Sequence, residues 1–316
     1  MSKKINHDKN LYRKLCREGM EIPIFYQDWW LDVTCGEDNW KVILYEEDPN
    51  VVALMTYFIK KRFSFEIITV PPLTKFSGPF FLKNFNARKQ QSILTRMIDQ
   101  LPEVSSFSQT LPYQIENWLA YKWKGYSQTT YYSYRLIGLK DRERIWQGMD
   151  ADYRNNKIRK ASQQYTVHED LDFETLFELT VAPFRRQNIA LPVSRTLLQN
   201  LLAACNQREK GKSLYARDKE GNVVAAVYLV WDTTACYLLL AGENDQSRSD
   251  GAGVYLTWKA IEYASEILQV PAFDFLGGMA ENLERTRRQY GAQQVPYFLI
   301  RKSTGLFRFL DIFRGK

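Results

Sequence analysis

Between Tyr237 and Tyr290 the chain reads, in order, as an apolar strand, the loop Gln246-Ser-Arg-Ser-Asp-Gly-Ala-Gly253, an amphipathic helix, a short strand Phe273-Asp-Phe-Leu276 and a strongly charged second helix. Arg-x-x-Gly-x-Gly between a strand and a helix aims several backbone N–H groups and a positive helix end at one point. Such a point suits a pyrophosphate. Small residues in a strand-to-helix turn also serve as ordinary turn chemistry, so the loop alone leaves both readings open. It is not the dinucleotide fingerprint, because the third glycine is absent, the loop lies in the last quarter of the chain and an arginine leads it.

A chain of 316 residues with 45% hydrophobic and 14% aromatic content can bury a large core, and two domains are expected, 1–150 and 151–316. No apolar run reaches the length of a membrane span, and the first seven residues lack an apolar signal core, so a soluble, cytoplasmic protein is expected. The four cysteines lie far apart and the histidines are His7 and His168 alone, which predicts neither a disulfide framework nor a metal site. The net charge of +7 is spread along the chain. It favours anionic ligands such as nucleotides, phosphates or RNA without defining a nucleic-acid binder. One run concentrates it: Arg154-Asn-Asn-Lys157-Ile-Arg159-Lys160. It reads either as a solvated helix face or, through Arg154 and Lys157 at helical spacing, as a phosphate or carboxylate site.

The order of elements repeats. In the first half, strands at Trp40–Tyr45 and Val51–Phe58 flank a hairpin signal, and a third strand runs from Phe63 to Val70. A loop follows at 74–79, then a helix at 86–100, a strand at 103–109, a short helix near 115–123 and a closing strand at 129–139. In the second half Asp172 and Ser194 cap two helices, the strands 214–217, 223–231 and 235–241 form a meander, and the glycine loop leads the helix 254–268. A strand at Phe273, a helix at 280–289 and a strand at 295–301 complete it. The matching order predicts an internal duplication.

With Arg248-x-x-Gly251-x-Gly253 heading its central helix, the second half resembles a GNAT-type N-acyltransferase, and the paired halves resemble the tandem-GNAT FemABX aminoacyltransferase branch. Further stretches carry the same likeness: Pro72-Leu-Thr-Lys-Phe-Ser-Gly78-Pro79, Trp123-Lys-Gly-Tyr126 with Thr130-Tyr-Tyr-Ser-Tyr134, Arg154 to Ala161, and Phe273-Asp-Phe275 followed by Glu284 to Tyr297. The resemblance implies two α/β domains, each a mostly antiparallel central sheet flanked by helices. It also implies transfer of an acyl or aminoacyl group from acyl-CoA or aminoacyl-tRNA to an amine, such as a cell-wall or sugar-linked precursor. The donor pyrophosphate would lie on Arg248, Ser249, Gly251, Ala252 and Gly253, with the strand 238–241 along the pantetheine arm.

The resemblance further implies a base, an oxyanion donor and an acid. Glu243 and Asp274 are the carboxylates best placed to deprotonate an ammonium, and either residue also suits a cap or surface role. Where the family often has a tyrosine acid, four residues before the glycine that ends the last helix, this chain has Arg287. Tyr290 is the substitute candidate or a buried packing residue. Arg154 and Lys157 would meet an anionic substrate. The first-half aromatics Trp29, Trp30, Trp118, Trp123, Tyr131, Tyr132 and Tyr134 read as core or as a stacking platform. Two other classes stay open: a binding or regulatory protein that has lost catalysis, and a membrane or assembly protein using the amphipathic tail 305–315.

Overall fold

The computed structural model describes residues 3–47, 49–62, 64–247, 249–305 and 307. Arg248 and most of the tail 305–315 lie outside that set. The chain divides into two compact units, one of residues 1–131 with 296–316, the other of residues 132–295. The division falls inside β-strands, upstream of the 150/151 boundary expected from sequence.

In the first unit β1 (Lys3–Asn6) precedes α1 (Lys9–Arg17), whose cap is Asp8 accepting from the amides of Asn10 and Leu11. After α2 (Asp28–Cys35) the hairpin forms as expected, β2 (Trp40–Glu47) against β3 (Asn50–Arg62). Then come β4 (Phe65–Thr69), β5 (Gly78–Phe81), α3 (Ala87–Ile98), β6 (Ser106–Thr110), α4 (Leu119–Trp123) and the start of β7 (Ser127–Ile137). The strands β1, β2, β3, β4 and β6 pair in that order, antiparallel except for the short parallel contact of β4 with β6 at Ile67↔Ser106 and Ile68↔Phe107. The segment 74–79, expected as a loop, contributes β5 to the upper part of β3. Burial of Ile43, Met55, Leu94 and Met97 packs α3 on the sheet. Each such side chain stabilises by about 1.5–3 kcal/mol.

The second unit runs through the remainder of β7, α5 (Arg142–Gly148), a π-helical segment Tyr153–Ile158 that continues into α6 (Arg159–Ala161), and β8 (Thr166–Glu169). Asp172 and Ser194 cap α7 (Phe173–Arg186) and α8 (Arg195–Gln207) through the amides of Thr175 and Leu197. The meander β9 (Gly211–Arg217), β10 (Val223–Trp231) and β11 (Cys236–Glu243) follows, then α9 (Ala252–Glu266), β12 (Ala272–Asp274), α10 (Glu281–Gln289) and the start of β13 (Gln293–Ser303), most of which belongs to the first unit. Leu256, Ala260, Ile261 and Ala264 form the buried stripe of α9. Their spacing is that of one helix face.

One expectation is corrected here. Strand 129–139 was read as closing the first half and strand 295–301 as closing the second. Instead, Arg135–Ile137 of β7 pair with β12 in the second unit, and Leu299–Ser303 of β13 pair with β6 in the first. Antiparallel pairing is set by where a complementary strand edge lies, and sequence adjacency does not encode that.

Candidate functional site

The parallel ladder between β11 and β12 consists of Cys236↔Phe273 and Tyr237↔Asp274. Beyond it β12 ends while β11 continues to Glu243, so the two strands part at Asp274. The continuing stretch is the one assigned above to a pantetheine arm. It pairs on its other edge with β10.

Past Glu243 the chain turns into α9. Asn244 Oδ1 accepts from the amide of Ser247 at 2.9 Å, which starts the turn. Gly251 caps the helix with φ 83° and ψ 19° and no side-chain hydrogen bond. That left-handed conformation explains the glycine, since a Cβ there costs about 1–2 kcal/mol. The equivalent helix of the first unit, α3, is closed by the Asn86 side chain on the amide of Lys89. The N-cap residue of α9 thus supplies no side chain to its first turn.

The cap is not empty of charge. Gly253 donates its amide to Glu243 Oε2 at 3.2 Å. A carboxylate at a helix N-terminus is favourable there, and it meets any incoming phosphate as a like charge. Lys157 approaches from the π-helical segment and donates Nζ to the Ser249 carbonyl at 3.0 Å. A cleft of about 470 Å³ lies between these segments, lined by Asp152, Asn156, Lys157, Lys160, Ser249 and Asp250.

Glu243, Ser249, Gly251, Ala252, Gly253 and Lys157 therefore come together. Arg154 does not join them, since its Nη1 donates to Gln147 Oε1 at 2.7 Å. The segment is π-helical, so the spacing that put Arg154 and Lys157 on one α-helical face does not apply. Tyr290 is 1% exposed and donates its hydroxyl to the Val254 carbonyl, in the first turn of α9, at 3.0 Å. Burial raises its pKa, which makes it a poorer proton donor.

Asp274 is fully buried. Its Oδ1 accepts from Ser133 Oγ and from the amide of Leu276, both at 2.8 Å, and its Oδ2 lies 3.4 Å from Arg135 Nε. The bond to Leu276 holds that residue in the left-handed region at φ 56°, turning the chain sharply after β12. Sequence reading missed Ser133 and Arg135. The period-2 alternation of β7 could have found them as two residues on one face, although their partner is distant in sequence. It also missed the pair in which Tyr134 donates its hydroxyl to Glu284 Oε1 at 2.9 Å, with Arg288 on the other carboxylate oxygen at 2.7 Å. Burial first, then that bond, raises the Tyr134 pKa. Among the described residues, no group of histidine, cysteine or carboxylate side chains could hold a metal ion, and no helix is long and apolar enough to cross a membrane.

Strands that part beside a glycine-capped helix are the features of an acyl-transfer domain, and the family described as acetyltransferase (GNAT) domain matches residues 151–283. That segment is similar to the GNAT domain. Over the whole chain the fold is the tandem-GNAT one: the crystal structure of FemX superposes with a TM-score of 0.72 at 11% identity, covering 98% of this chain and 99% of that one. A tandem GNAT protein from the clavulanic acid biosynthesis pathway gives 0.52 at 8%, covering 95% and 98%. The C-terminal domain of a lysylphosphatidylglycerol synthetase from Agrobacterium fabrum gives 0.51 at 14%, covering 83% and 84%. No curated protein matches the chain in sequence.

Proposed function

We propose that the protein transfers an aminoacyl group from an aminoacyl ester, of the aminoacyl-tRNA kind, to an amine. The observation that carries this reading is the parting of β11 and β12 beside the glycine-capped start of α9. It supplies an extended edge for a donor arm and a positive helix end. The Glu243 carboxylate on the Gly253 amide supports the ester donor over acyl-CoA. It sits where the pyrophosphate of acyl-CoA would be held, and an aminoacyl ester needs no pyrophosphate there. The name of the lysylphosphatidylglycerol synthetase among the structural neighbours describes attachment of lysine to another molecule, which agrees with aminoacyl transfer. Acyl-CoA is the second reading; it requires Glu243 to leave the amide.

In either case the amine nitrogen attacks the carbonyl, a C–N bond forms, and the C–O or C–S bond of the donor breaks. The ammonium of the acceptor must first lose a proton, and the leaving oxygen or sulfur gains one. Glu243 is the proposed base, because its carboxylate lies at the open end of β11. For Asp274 we propose a positioning role: it holds Ser133, Arg135 and the Leu276 turn at the mouth of the slot. Tyr290 supports the first turn of α9 rather than donating a proton. Ser249, Gly251, Ala252 and Gly253 are the cradle that the acyl-CoA reading would use once Glu243 left the amide, and Lys157 holds that loop from outside.

Filter binding of charged tRNA and calorimetry with coenzyme A, run on the wild type and on Glu243→Gln, test this. Retention of charged tRNA by the wild type is expected, with weak coenzyme A binding that strengthens in the variant. If neither protein retains either donor, the donor site is wrong.

A further inference from the structure

Several arginines of the second unit have a carboxylate: Arg135 has Asp274, Arg142 has Glu262 and Glu266, Arg185 has Glu178, Arg186 has Asp245, Arg195 has Glu174 and Arg288 has Glu284. Arg287 has none among the described residues. Its guanidinium lies over the Phe275 ring, 4.9 Å from the centroid, and its Nε is shielded from solvent without a hydrogen-bond partner. The rings of Tyr153 and Tyr290 border the same place: Tyr290 packs 5.4 Å from Phe275 and 5.2 Å from Tyr153. The Tyr290 hydroxyl is already used on the Val254 carbonyl.

The position matters as much as the missing partner. Phe275 directly follows Asp274, where β12 parts from β11, and Val254 is in the first turn of α9. Arg287 therefore lies against the residue that follows β12, and its neighbour Tyr290 reaches the first turn of α9. Its Nε is shielded without a hydrogen-bond partner while the residue is half-buried, and the planar fork of a guanidinium matches carboxylate and phosphate oxygens. The aromatic face beneath it fixes the plane of that fork.

We propose that Arg287 is an anion-binding residue of this site, taking a carboxylate or phosphate group of a substrate against Phe275. Burial lowers the affinity of this guanidinium for its proton, as expected of a cation that awaits a counter-charge. The proposal rests on the acyl-transfer reading for the statement that the anion belongs to a substrate.

The test uses the full chain and no turnover. Inorganic phosphate and acetate are titrated while the arginine Nε–H resonances are followed by NMR, with sodium chloride at matched ionic strength as control. The Arg287 signal, assigned by its loss in Arg287→Lys, is expected to shift saturably with one of the two anions and not with chloride. The anion that binds more tightly distinguishes a phosphate from a carboxylate source. Calorimetry on Arg287→Lys is expected to show affinity weaker by about tenfold or more, because the fork is lost. Arg287→Met guards against a purely structural role: removing an unanswered cation is expected to raise Tm by a few degrees. A signal unmoved by both anions, or a clear fall in Tm for Arg287→Met, overturns the proposal. Anion binding without any acyl transfer would instead sink the function proposed above and leave this site standing.

Discussion

Glu243 and Gly253 are joined by a hydrogen bond of 3.2 Å from the first-turn amide of α9 to a carboxylate oxygen, and a Cβ built on Gly253 would run into that same carboxylate. The glycine lets the end of β11 and the start of α9 come this close. The helix thereby carries a negative group from its own chain at the end that attracts anions.

Glu243→Gln keeps a hydrogen-bond acceptor there and removes the charge. Coenzyme A affinity, measured by calorimetry, is expected to rise by about tenfold, the equivalent of roughly 1.4 kcal/mol. Aminoacyl transfer is expected to fall in the same variant, because the proposed base is gone. Equal coenzyme A binding in both proteins would mean that the carboxylate does not oppose a pyrophosphate.

Gly251→Val places a branched side chain at φ 83°, beside Lys157, whose Cβ stands 3.4 Å from the position a Cβ would take. The strain is expected to cost about 2 kcal/mol, with the far-UV spectrum preserved and donor retention lost. A variant that retains donor as the wild type does would remove the loop from the donor site.

Asp274→Ala and Asp274→Asn separate charge from geometry. Alanine leaves Ser133 and Arg135 without their shared acceptor in a fully buried place, and urea unfolding is expected to show a loss of about 3–5 kcal/mol. Asparagine can still accept from Ser133 and Leu276, so its loss should be nearer 1 kcal/mol. Asp274→Asn that folds well and retains transfer supports the positioning role; loss of kcat alone would make Asp274 a proton-transfer group.

Burial pushes the thiols of Cys16, Cys35 and Cys205 up to about 12. The folded state then holds more protons than the unfolded one between the ordinary thiol range, about 8.5, and about 12, so stability falls as pH rises through that window. The urea midpoint is expected to be flat from neutral pH to about 8.5 and to decline above it. At pH 8 a thiol reagent should label the buried Cys35 and Cys205 only as fast as the protein opens. Rapid stoichiometric labelling of the folded protein would contradict the burial.

Much of the local structure was legible because its causes are local. Asp172, Ser194 and Asn86 cap helices where their side chains reach an amide three residues on, and the meander of β9, β10 and β11 follows from apolar runs broken by Asp218 to Gly221 and Asp232 to Thr234. The polar start hid α1, because its single buried residue is Tyr12. In the site, the glycine loop was readable and the partners of Asp274 were not: Ser133 and Arg135 lie far upstream and reach it only through the pairing of β7 with β12.

The amino-acid sequence by itself determined most of the helices and strands, the glycine turn ahead of α9 and the GNAT-like order, since turn chemistry and periodicity act over a few residues. Tertiary structure alone decided that β7 pairs in the second unit and β13 in the first, that Glu243 occupies the amide of Gly253, and that Arg287 lies over Phe275. Each of these depends on which distant strand edge or side chain arrives, and packing of the whole unit selects that partner.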